Sequence, residues 1–232
     1  MSPTSRQARV AGLLYLLLSI VGPVRLIYVP SALFVQGDAT ATANNIVAHE
    51  TLFRLGIVSE LLSGVFGIFL VLALYRLLKG VDQKHAVLMV VLGLMPDAIY
   101  FFNVLNDAAA LLLVRGADFL SVFDKPQRDA LAMLFLRVHD QVIVAAETLW
   151  GLWLFPLAIL VYRSRFLPRF LGVWLIINGI TYVALSLTGL LLPQFEDSVS
   201  SIAFPALLGE IALMLWLLIM GAKAEAVNAP AA

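Results

Sequence analysis

Arg25, Arg54, Glu60, Asn103, Asp107, Arg137, His139, Asp140 and Glu147 all interrupt strongly apolar stretches of this chain. Charge in an apolar setting is costly, so each of these residues is a functional candidate. The three arginines suit an anionic group, because a guanidinium presents its donors in a planar fork. The carboxylates with His139 suit general acid–base chemistry, provided two of them converge on one substrate. His49, His139 and Asp140 offer the nitrogen and oxygen ligands that zinc takes, and Glu60 could then serve as general base. The run His49-Glu50-Thr51-Leu52-Phe53 begins like a zinc-protease helix. Phe53 stands where the second histidine belongs, so that motif fails. Haem between two histidines is disfavoured, since only His139 lies well inside an apolar stretch. No Gly-x-Ser-x-Gly elbow occurs. The absence of cysteine removes disulfides, thiolate ligands and a thiol nucleophile.

These residues need elements to hold them, and composition names the medium. Hydrophobic residues make up 62% of the 232 and charged residues only 13%. Soluble domains run near half apolar and a quarter charged. Lys+Arg and Asp+Glu are 15 each. That balance argues against a nucleic-acid partner, which needs a basic surplus. A helix of roughly 20 apolar residues crosses a bilayer. Six stretches qualify: Val10 to Val29, Leu52 to Leu78, Ala86 to Val114, a stretch within Leu131 to Tyr162, Phe166 to Leu192, and Ile202 to Gly221. Strand alternation is absent. The expected fold is all-α: a polytopic transmembrane bundle of six helices forming one domain over residues 1–222, with a disordered tail at 223–232. Asp38 to Thr51 reads as a short outer-surface helix before helix two, capped by Asp38, Thr40 or Thr42. Helix four could start anywhere from Lys125 to Leu131. Arg6 and Arg9 before an apolar run resemble a signal peptide, but the run continues to Val29 without a clear cleavage site.

Positive residues orient such a bundle. Arg6, Arg9, Arg76, Lys79, Lys84, Arg163, Arg165, Arg169 and Lys223 fall on one side; Arg115, Lys125 and Arg128 fall on the other. Both termini are therefore expected in the cytoplasm. The polar residues then crowd the outer half, and an outward-opening polar cavity is expected. The alternative is interhelical glue, worth about 1 kcal/mol per bond in a membrane. On helix three, Tyr100, Asn103 and Asp107 share a stripe. On helix four, Arg137, Asp140, Gln141 and Glu147 share a side, with His139 about a quarter turn from Asp140. Phe101, Phe102, Trp150, Trp153 and Trp174 read as a lipid-facing belt. Ser63 and Gly67, four apart, permit close helix packing.

Several segments carry a family resemblance: Ala-Arg-Val-Ala-Gly-Leu-Leu-Tyr at 8–15, Ala-His-Glu-Thr-Leu-Phe-Arg-Leu-Gly at 48–56, Leu-Tyr-Arg-Leu-Leu at 74–78, Phe-Asn-Val-Leu-Asn-Asp at 102–107 and Leu-Pro-Arg-Phe-Leu-Gly at 167–172. Together they resemble a bacterial membrane family known as domain of unknown function 4386, over about Ala8 to Gly221. The resemblance implies six helices in a bacterial cytoplasmic membrane and no particular activity. The functional expectation is binding or transport of a small polar or lipid-like ligand in the cavity. The alternatives are a membrane-embedded hydrolase or transferase, with or without zinc, and an accessory protein. A homo-oligomer fits any of the three.

Overall fold

The structure, a computed structural model, describes residues 3–222. The tail at 223–232, with Lys223, lies outside the described residues. Six helices are long and apolar enough to cross a membrane: α1, Thr4–Leu33; α3, Glu50–Leu78; α4, Gln83–Arg115; α5, Lys125–Arg163; α6, Arg169–Leu191; and α7, whose apolar span is Ser198–Met220. The short α2, Ala39–Ala48, precedes α3, as the sequence leads one to expect. There is no strand among the described residues. The chain is an integral membrane protein by this measure.

Aspartates start three of the helices. Asp38 accepts from the Ala41 backbone N–H at 2.8 Å. Asp82 accepts from the backbone of Lys84 and His85. The His85 backbone N–H, then its ring, hold the Asp82 carboxyl below the usual carboxylate range. Asp124 and Gln127 form a reciprocal capping box with Pro126 in the first turn, which starts α5 at Lys125, the earliest of the expected positions. At 39 residues α5 exceeds the length a bilayer needs, so its first turns sit beyond the hydrocarbon.

Consecutive spanning helices pack in order, α1 on α3, α3 on α4, α4 on α5, α5 on α6 and α6 on α7; α7 returns to α1 and closes the ring. Small residues set the closest approaches, as expected where lipid supplies no hydrophobic drive between helices. At Gly151 of α5, an added Cβ would lie 2.5 Å from the Gly179 carbonyl of α6. Two buried apolar clusters fill the ends of the ring. One joins Tyr15, Leu74, Met89, Leu157, Leu171 and Leu217, toward the chain termini. The other joins Val29, Ile46, Phe53, Ala110 and Leu136, at the end covered by α2. The buried polar residues lie mostly between these two plugs.

Candidate functional site

Helix α1 delivers the deepest cation through a local distortion. Pro23 has no backbone N–H to continue the ladder, and Val24–Tyr28 immediately after it form a wider π-turn. Such turns often occur at functional positions. This one carries Arg25 inward, where only 3% of it stays exposed. Arg25 Nε and Nη2 donate to the two carboxylate oxygens of Asp107 on α4, at 2.6 and 2.7 Å. Phe34 covers the guanidinium, 5.5 Å from ring centroid to Cζ.

Asp107 leads on to α5. Its Oδ2 lies 3.8 Å from His139 Nε2, and that nitrogen is 2.9 Å from Glu60 Oε2 on α3. Asn103 Nδ2 bridges the same pair of helices, with Glu60 Oε1 and the His139 carbonyl both at 3.3 Å. Four helices thus share one buried network. With Glu60 as a carboxylate, which can only accept, His139 carries its proton on Nε2, and its Nδ1 is a bare acceptor. Nδ1 is buried and has no hydrogen-bond partner.

Glu60, Asp107 and His139 bring one ligand atom each to within 4.8 Å of one another. Such a set could hold a divalent metal. Two features oppose that use. Both Asp107 oxygens already accept from Arg25. A metal-bound histidine normally donates its other ring N–H to a partner, which His139 Nδ1 does not have.

Below the network, toward the termini, the helices border a half-open space of about 440 Å³. Arg25, Glu60 and His139 border it, as do Asp97, Tyr100, Trp150 and Glu210. Tyr15 donates its hydroxyl to Glu210 Oε1. Asp97, 5% exposed, keeps its Oδ2 without a hydrogen-bond partner. Trp150 lies between Tyr100 and Tyr182, with ring centroids 6.4 and 5.6 Å away. Among the bordering residues, Ile27 on α1 and Phe204 on α7 are each 62% exposed. The space therefore meets the surface between α1 and α7, at membrane depth. The apolar cluster of Ile46, Phe53 and Leu136 lies at the α2 end.

A family model matches residues 10–221. The chain belongs to the family described as Domain of unknown function (DUF4386). No curated protein and no solved structure matches it.

Within this DUF4386 chain, the residues expected at the site divide sharply. Arg25, Glu60, Asn103, Asp107 and His139 converge. Arg54 does not; it is exposed and pairs with Glu50 at 2.7 Å, one helical turn away. Arg137 is exposed, and Asp140 and Glu147 are half-buried. The proposed ligand set of His49, His139 and Asp140 is corrected: His49 is exposed at the end of α2, and the trio brought together is Glu60, Asp107 and His139. His139 points into the bundle, while Arg137 and Gln141 point away, because a quarter turn separates neighbours on a helix. Trp150 and Trp153 border the interior space instead of forming a lipid belt. Asp97, Tyr15, Tyr182 and Glu210 were not among the expected site residues. For Asp97 and Glu210 the signal lies in the sequence, since a carboxylate in mid-span is a functional candidate by default; the two tyrosines carry no such signal.

Proposed function

We propose that this protein binds a small lipid-like ligand in the space inside its helical ring, with transport across the cytoplasmic membrane of a bacterium as its wider role. The observation that carries the reading is an internal space of about 440 Å³ bordered by ionisable side chains from α1, α3, α4, α5 and α7. Small-molecule sites are of that size, mostly apolar, with a few convergent polar groups. A ligand would enter between α1 and α7 from the lipid. The expected anion has lost its support, because Arg25 is committed to Asp107 and Arg54 and Arg137 are exposed.

Gly22 supplies the test. It borders the space, and an added Cβ there meets only Ser63 Oγ, at 3.8 Å. Gly22→Leu should therefore project a side chain into the space and obstruct it. Native mass spectrometry of protein released directly from membranes should show a bound small molecule in the parent protein and none in Gly22→Leu. No adduct in either protein would overturn the reading.

A second reading rests on the proximity of Glu60, Asp107 and His139: a metal-dependent hydrolase. Elemental analysis decides it. We expect no stoichiometric zinc, for the two reasons of hydrogen bonding given above. Near-stoichiometric zinc that disappears in His139→Ala would make the metal reading the correct one.

A further inference from the structure

One buried carboxyl oxygen bordering the interior space lacks a hydrogen-bond partner: Asp97 Oδ2. An unmatched acceptor in a low-dielectric site has lost its water without replacement, and that costs more for a charged group than for a neutral one. Asp97 takes part in none of the ion pairs among the described residues. Arg25, the cation that borders the space, has its carboxylate in Asp107. Glu60 and Glu210, the other bordering carboxylates, are served by Asn103, His139 and Tyr15. Asp97 is thus an open position for a positive charge with an N–H to donate.

The walls fit the rest of such a molecule. Tyr100, Trp150, Trp153 and Tyr182 surround the space with aromatic rings. Ring faces attract cations and accept apolar groups equally well. Leu70, Val71, Ile143 and Leu207 complete an aliphatic lining. The exposed edge at Ile27 and Phe204 lies within the apolar spans Thr4–Leu33 and Ser198–Met220, where an amphiphile dissolved in the bilayer would meet it.

We propose that the ligand is a protonated amine on an apolar body, with Asp97 as its counter-ion. This rests on the binding-site reading above and names its ligand class. A free lipophilic amine and an amino-headgroup lipid share that chemistry.

The test uses four probes with one apolar body: 4-phenylbutylammonium, its N-trimethyl derivative, 4-phenylbutanol and 4-phenylbutyrate. Binding is measured by calorimetric titration of the full chain in phosphatidylcholine nanodiscs, with empty discs subtracted. The primary ammonium should bind best, the trimethyl cation less well for want of N–H donors, and the carboxylate worst. Asp97→Asn should weaken the ammonium by about tenfold or more, as loss of a charge-assisted bond implies, and leave the alcohol within about twofold. Gly22→Leu should abolish binding of all four. Suppression of ammonium binding in discs containing phosphatidylethanolamine would identify the lipid head group as the source; unchanged binding would identify a free amine. Equal binding of ammonium and carboxylate, or an Asp97→Asn protein that binds ammonium as the parent does, would overturn the amine and leave the binding site standing. No binding of any probe, together with no adduct in the native spectrum, would overturn both.

Discussion

Arg25 and Asp107 are each almost wholly buried and joined through two hydrogen bonds. The pair illustrates why a buried charge is informative. Removing one partner strands the other, at a cost of about 3–5 kcal/mol, whereas replacing both with apolar side chains is often neutral. Arg25→Met and Asp107→Leu should each lower stability by that order in equilibrium unfolding in mixed micelles. The double variant should be more stable than either single one. A double variant that loses the sum of the two would show that the residues act separately. Much of this network was legible in the sequence, because Arg25, Glu60, Asn103, Asp107 and His139 are polar residues in apolar runs. Their pairing was not, since it depends on how helices cross and on the π-turn after Pro23. Arg54 reads the same way in sequence, yet it has a partner one turn away in Glu50 and stays at the surface. Asp97 was visible as a mid-span carboxylate; that its Oδ2 has no partner is a property of the whole ring.

Helix approach decides where Asp97 sits. Its carboxylate lies against the α3 backbone at Gly67, where an added Cβ would fall 2.0 Å from Oδ1 and 2.7 Å from Cγ. The spacing of Ser63 and Gly67 suggests close packing here, and the structure adds that a neighbouring helix's carboxylate occupies the gap. Elsewhere in a helix, Gly→Ala gains up to about 1 kcal/mol. Here the contact should reverse the sign, since overpacking typically costs about 1–3 kcal/mol. Gly67→Ala should melt below the parent protein, and Asp97→Ala in the same chain should recover most of the loss. A Gly67→Ala protein that melts at or above the parent would mean the carboxylate swings aside freely. At this scale the sequence was most informative about spans and least about ends. All six spans were found by their apolar length. The start of α5 is set by the Asp124 cap, Pro126 and Gln127, a short signal that the apolar run beginning at Leu131 conceals.

At the scale of the molecule, the ring needs α7 to return to α1, and no local pattern announces that closure. The two meet near the chain termini, where Tyr15 donates to Glu210 and Arg9 Nη2 to the Ile219 carbonyl, the latter at 3.3 Å. Farther along, their bordering residues are the exposed Ile27 and Phe204. The same six-span path places both ends of the ring's chain on the side opposite α2. Charge gives the expected orientation. Arg6, Arg9, Arg76, Lys79, Lys84, Arg163, Arg165 and Arg169 flank the terminus side, against Arg54, Arg115, Lys125 and Arg128 on the α2 side. Positive residues in short loops are held in the cytoplasm, so the α2 side should face outward. A chain without cysteine makes this directly measurable. Asn44 on α2 and Lys79 in the α3–α4 turn are both exposed. In intact spheroplasts, a membrane-impermeant maleimide should label Asn44→Cys and should reach Lys79→Cys only after the membrane is opened. The reverse pattern would invert the protein in the bilayer. It would also place the Arg25–Asp107–His139–Glu60 network in the cytoplasmic half, while leaving the opening between α1 and α7 at membrane depth; entry from the lipid does not depend on which side is out.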